Sequence, residues 1–307
     1  GRLLQLCAVY FTFYVVFGVA VKYLRGPLDI NGIAVLTYTT LGGVLIQLLL
    51  VGGLVLLGVL RLASVMEGFA RAGLSGGKWW YYVLFGLLCV LFYAAMTGLN
   101  ALFDLGQAVD VKDLLTQAAG GQAEGLEMVP GWTLLAIVGF QAVVLGPLIG
   151  LLMAVGEEYG GRGYLQSELV KMGKTRGILL VGVIWGLWHI PLILMGHNYP
   201  GHPLLGSVLM MVYSITLALI LGYAVLKSGS VWLAAFLHAL NNQVLAFLVL
   251  AVYKPNDPVY SFGIGLYGIV VLAIIAGALL VFDRKEWRTP VPAASQGDGT
   301  DRPLKVD

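Results

Sequence analysis

Residues Trp132–Val155 read WTLLAIVGFQAVVLGPLIGLLMAV and carry no charged side chain; Gly156–Leu165 then read GEEYGGRGYL. An uncharged run of this length is enough to cross the hydrocarbon of a bilayer, which takes about 20 apolar residues. Two carboxylates and an arginine immediately behind it need a reason. A charged side chain at the centre of a spanning helix costs about 2.5–3.5 kcal/mol, so such groups sit near an interface, pair with one another or line a wet cavity.

Working outward, the same apolar pattern recurs. Candidate spans are Leu4–Leu24, Ile33–Leu60, Trp79–Phe103, Trp132–Val155, Gly177–Met195, Ser207–Leu226, Val231–Tyr253 and Val259–Phe282. The chain is 59% hydrophobic and 11% charged, against about 25% charged in soluble domains. The expected fold is therefore an all-α polytopic membrane protein of about eight transmembrane helices, with the lipid bilayer as its solvent. The net charge of +2 gives no reason to expect a nucleic-acid partner. The cysteines, Cys7 and Cys89, both lie inside apolar runs and read as reduced packing residues.

Charge placement orients the chain. If the helices alternate from a cytoplasmic N-terminus, all 18 basic residues except Lys22, Arg25, Lys112 and Lys254 fall on the side of the two termini, as the positive-inside rule requires. The acidic loop Asp104–Gly131 suits the opposite side. Lys78-Trp-Trp-Tyr-Tyr82 reads as an aromatic interfacial anchor, and Arg61–Gly77 and Tyr164–Lys174 as stretches lying along the cytoplasmic surface. The expected organisation is N-terminal helices and outer loop over 1–131, a core over 132–253, a last helix within 254–288 and a disordered cytoplasmic tail over 289–307.

Three polar clusters stand out against the apolar background. In Glu157-Glu158-Tyr-Gly-Gly-Arg162, Glu158 and Arg162 are four apart and share a helical face, so they can form an ion pair. Glu157 is rotated away by about 100° and is left as a candidate general base; the alternative is a solvated helix end. Gly156, Gly160, Gly161 and Gly163 would let a backbone or a substrate come close. In Trp185-Gly-Leu-Trp-His189-Ile-Pro191, His189 lies on the face of Trp185 and is a natural partner for a carboxylate base; the alternative is a packed histidine bonded to a neighbouring helix. In His238-Ala-Leu-Asn241-Asn242, His238 and Asn242 share a face and both offer donors to a developing oxyanion, or form an interhelical polar clamp; Asn241 points elsewhere. His197 and His202, in the loop HNYPGHP, are expected to be solvated.

In this order and at these spacings the clusters resemble the CAAX protease and bacteriocin-processing (CPBP, ABI) family of intramembrane glutamic proteases, the type II CAAX prenyl endopeptidase-like proteins, whose motifs are EExxxR, FxxxH and HxxxN. The flanking Arg162-Gly-Tyr-Leu165, Trp188-His-Ile-Pro191 and Ser230-Val-Trp232 match as well, so the resemblance covers about Trp132–Tyr253. Two positions depart from it: Trp185 replaces the usual Phe, and Gly161 replaces an aromatic before the arginine. The resemblance implies a conical catalytic core built by the later helices and an intramembrane endopeptidase. It implies that Glu157 activates a water and that His189 orients it and shuttles the proton. It gives His238 and Asn242 the oxyanion, and Glu158, Arg162 and Trp185 a supporting part. Glu157, near the cytoplasmic end of its helix, suggests entry of water and substrate from that side. The substrate it implies is a membrane-embedded or lipidated protein or peptide, and the expected location is a bacterial or archaeal inner membrane with both termini cytoplasmic.

No cofactor is expected. Glu157, His189 and His238 also form a plausible zinc set, but the HExxH spacing is absent and the resembled family is described as metal-independent. A non-enzymatic membrane scaffold would be favoured by a broken motif, and none is broken. A proton-coupled transporter would be favoured by paired halves, and none is visible.

Overall fold

A computed structural model describes residues 74–118 and 125–290. The expected spans Leu4–Leu24 and Ile33–Leu60, residues 61–73 of the expected surface stretch and residues 291–307 of the tail lie outside the described residues.

The described chain is helical, with strands only in one short pair. In order it forms α1 (Trp80–Leu102), β1 (Gly106–Ala108) and α2 (Val111–Ala118). Next come α3 (Gly131–Phe140), a π-helical turn (Gln141–Leu145), α4 (Gly146–Glu158), a second π turn (Tyr159–Leu165) and α5 (Gln166–Leu169). Then follow α6 (Lys174–Leu194), α7 (Pro203–Ser228), α8 (Val231–Phe247) with a terminal π turn (Leu248–Val252), β2 (Tyr253–Pro255), α9 (Leu266–Phe282) and α10 (Arg284–Arg288). Trp80–Leu102, Gly131–Leu151, Lys174–Leu194, Pro203–Ser228 and Val231–Val252 are long and apolar enough to cross a membrane. In lipid the backbone must satisfy its own hydrogen bonds, which an uninterrupted helix does. The chain is thus an all-α polytopic membrane protein.

The last expected span, Val259–Phe282, is shorter than its sequence suggested: its helix starts at Leu266. Residues 253–265 instead build one end of the molecule. β2 pairs antiparallel with β1, Gly106 opposite Pro255. Asn100, at the end of α1, accepts from Phe262 N at 2.8 Å and donates to Phe262 O at 3.0 Å. Tyr199, between α6 and α7, donates to Ile264 O at 2.6 Å. Three interhelical connections are tied together at this end.

The larger surprise is the course of the chain after Glu158. The expected helix end is not an end. Helix continues through the π turn Tyr159–Leu165 into α5 and a final 3-10 turn at Val170–Met172. Nor does this stretch lie along the surface throughout, because Gln166 and Val170 are buried and Gln166 Nε2 donates to Gly222 O of α7 at 3.2 Å. Glu157 and Glu158 therefore sit in mid-helix.

α7 is the most buried span, and its main neighbour is α6. Glycine makes this contact possible: a Cβ at Gly182 would lie 2.6 Å from Ile215 Cα, and one at Gly186 3.0 Å from Met211 Cα. Membrane helices lack a hydrophobic drive toward each other and associate by such close small-residue packing. The glycines of GEEYGGRGYL differ. Gly156, Gly160 and Gly161 have no described atom near a would-be Cβ, and Gly163 meets only Tyr159 and Val231 side chains. The expected close backbone approach is thus not seen there among the described residues.

Overpacking typically costs about 1–3 kcal/mol. Gly182→Val is expected to destabilise the protein by that amount and Gly160→Ala to leave it nearly unchanged, as measured by thermal unfolding in detergent.

Candidate functional site

The site grows from the helix that runs through α4 and its π turn. Residues four apart on a helix lie on one face, and Glu158 and Arg162 meet accordingly: Arg162 Nη1 donates to Glu158 Oε1 at 2.9 Å. Both are buried, Glu158 completely. Arg162, counted from sequence among the basic residues of the cytoplasmic side, is therefore an internal charge. Its guanidinium lies over the Trp185 ring, 4.2 Å from the centroid, a cation–π contact that partly replaces lost water.

The same carboxylate oxygen has a second partner. His238 Nδ1, on α8, lies 2.9 Å from Glu158 Oε1. A buried carboxylate already paired with an arginine acts as an acceptor, so His238 donates through Nδ1 and keeps Nε2 for other use. The oxyanion reading took His238 for an unencumbered donor, whereas its ring is held from behind by Glu158.

Trp185, on α6, joins the imidazoles: its ring is 5.5 Å from that of His189 and 5.3 Å from that of His238, edge-on to both. His189 Nδ1 is 2.9 Å from the Trp185 carbonyl. A carbonyl only accepts, so Nδ1 carries the proton and Nε2 of the neutral ring is an acceptor. Trp188 packs edge-on to His189 at 4.9 Å.

Glu157, on another face of the helix from Glu158, is only half-buried. It lines a cavity of about 950 Å³ together with His189, His238 and Asn242. Three different helical segments thus bring the four residues to one space. The cavity continues past Leu192, Met210 and Leu245 to His197, Lys254 and Asn256 at the end where the connections are tied. His197 is exposed, and burial of part of its ring holds its imidazole below the usual histidine value. His202 stands near Asp257, 3.5 Å away.

Sequence reasoning missed three residues here. Asn241 lines the cavity too, rather than pointing away from it. Its Oδ1 lies 2.6 Å from the Tyr93 hydroxyl and 3.1 Å from that of Tyr213. The one available signal was two phenols within apolar helices, since a buried Tyr O–H usually finds a partner.

As for a metal, no three His, Cys, Asp or Glu side chains converge as a metal-binding group among the described residues.

Membrane-capable helices enclosing a cavity lined by a carboxylate and two imidazoles define an integral membrane protein with a polar internal site. Residues 139–244 match the family model described as Type II CAAX prenyl endopeptidase Rce1-like. That match bears out the resemblance read from the three motifs and supports a CAAX-type intramembrane endopeptidase in general. No curated protein matches the chain.

Removing one partner of a buried ion pair typically costs about 3–5 kcal/mol. Arg162→Ala is expected to lose that much stability, and Glu157→Gln about 1 kcal/mol or less. Thermal unfolding of the two variants side by side tests the division of labour between the adjacent glutamates.

Proposed function

We propose that the protein cleaves a peptide bond in a membrane-anchored or lipidated polypeptide, using Glu157 to activate a water. The observation that carries this reading is the shared cavity: Glu157, His189, His238 and Asn242 face one space inside a stretch that matches an endopeptidase family.

Among the described residues Glu157, unlike Glu158, has no cation bound to it, so it can take a proton from water as the water attacks the scissile carbonyl. His189 presents an unprotonated Nε2. It accepts a hydrogen bond from that water and orients it; the proton taken by Glu157 then passes by way of this ring to the leaving amine as the C–N bond breaks. The attacked carbonyl oxygen becomes an anion that needs donors. Asn242 supplies one. His238 supplies the other through Nε2–H, which requires the imidazolium because Nδ1 already donates to Glu158. Two carboxylates, Glu157 and Glu158, then balance two cations, Arg162 and His238, so the low-dielectric site carries no net charge before the reaction.

The middle of the cavity is apolar, with Leu192, Met210, Leu217, Leu245 and Val249 among its lining. Such a wall suits a lipid chain or an apolar peptide segment held beside the scissile bond. The reading needs no metal. The excess of basic residues at the α10 end supports a cytoplasmic location for that end, and the cell type is taken to be bacterial or archaeal.

Cleavage of a lipidated peptide by the purified protein in bilayer vesicles is the direct test. Glu157→Gln is expected to abolish turnover, while wild-type activity survives strong chelators. Undiminished cleavage by Glu157→Gln would remove the glutamate mechanism, and loss of activity to a chelator with recovery on zinc addition would replace it with a metal one. Removal of one oxyanion donor by Asn242→Ala is expected to lower kcat by about 10²–10³.

A further inference from the structure

Tyr93 on α1, Tyr213 on α7 and Asn241 on α8 form a buried polar cluster that the three motifs do not explain. The two hydroxyls are 3.0 Å apart and both lie within hydrogen-bond distance of Asn241 Oδ1, at 2.6 Å and 3.1 Å. An amide oxygen only accepts. One phenol therefore donates to it, and the other donates either to it or to the first phenol's oxygen. In both arrangements every phenol proton is used and the amide oxygen is fixed on the tyrosine side. The amide nitrogen then faces the other way, where it donates to Asn242 Oδ1 at 3.1 Å.

The opposite orientation is poor. With the NH2 of Asn241 turned to the phenols, the hydroxyls could satisfy only one of their two protons on each other. The second would have no acceptor in a site where Tyr93 is 2% exposed and Tyr213 6%. Buried donors without acceptors are avoided. The phenols thus set the direction of the whole chain of bonds: Oδ1 of Asn242 is occupied, and its NH2 is left for the cavity that Asn242 lines.

We infer that Tyr93 and Tyr213 are positioning residues, which act through Asn241 to keep the Asn242 amide turned with its NH2 toward the reacting carbonyl. The inference rests on the proteolytic reading above. It brings α1, which lies outside the matched stretch 139–244, into the working of the site.

The test compares wild type, Tyr213→Phe and Tyr93→Phe/Tyr213→Phe in the cleavage assay. The double variant is expected to lose about 10- to 10²-fold in kcat with KM unchanged, the size of a misplaced donor, and the single variant less. In an Asn242→Ala background the tyrosine substitutions are expected to cost nothing further. An unchanged kcat, or a loss of the same size in the Asn242→Ala background, overturns the inference.

A second readout does not depend on turnover. In protein labelled with ¹⁵N-asparagine, the Asn241 side-chain NH2 is expected to exchange slowly in wild type and Tyr213→Phe and to lose protection in the double variant. Equal protection in all three overturns the relay even if the protein proves to have another activity. Equal cleavage by wild type and Glu157→Gln, by contrast, counts against the proteolytic reading and leaves the exchange result to decide the relay.

Discussion

One oxygen atom, Glu158 Oε1, accepts from both Arg162 and His238 at 2.9 Å. Burying a carboxylate and a guanidinium forfeits several kcal/mol of hydration per ion, and only well-placed partners recover it. These two contacts therefore constrain three elements at once: the π turn that carries Arg162, α8 that carries His238, and α4 between them. Trp185 closes the arrangement by lying under Arg162 and beside both imidazoles. The neighbouring Glu157 gains from this without taking part in it, because it is kept at a cavity wall with no cation of its own among the described residues.

Much of the fold was readable in the sequence because lipid imposes a simple rule. Uncharged apolar runs from Trp79, Trp132, Gly177, Ser207 and Val231 each became a helix able to span. The eighth run came out shorter because residues 259–265 are apolar enough to resemble a helix start, yet they are bound in a loop by Asn100 and Tyr199 from elsewhere in the chain. The continuation of helix beyond Glu158 was hidden for a related reason. Charges at the end of an apolar run normally mark water. Nothing local revealed that Arg162 would find a tryptophan from α6.

The site was readable in residue type and order rather than in contact. The i,i+4 relation of Glu158 and Arg162 is local, so spacing was enough. The bond from His238 to Glu158 spans 80 positions, and the one from Tyr93 to Asn241 spans 148. Neither leaves a trace in either segment alone. The motif residues also left Asn241 looking like a bystander, since the HxxxN spacing singles out His238 and Asn242; its part depends on phenols from two other helices.

The π turn at Tyr159–Leu165 has one further meaning. A π turn takes up one residue more than an α turn, which shifts the helical phase of everything after it by about 100°. The helix is in effect spliced from two lengths that face different neighbours. The first presents Glu157 to the cavity, and the second presents Gln166 and Val170 to α6 and α7. A single residue other than Arg162 deleted within Tyr159–Leu165 would restore a regular helix and turn the buried face of the second length away from its present neighbours. Every residue of the three motifs would still be present, yet the bearing on which the Arg162–Glu158–His238 contacts rest would have rotated away.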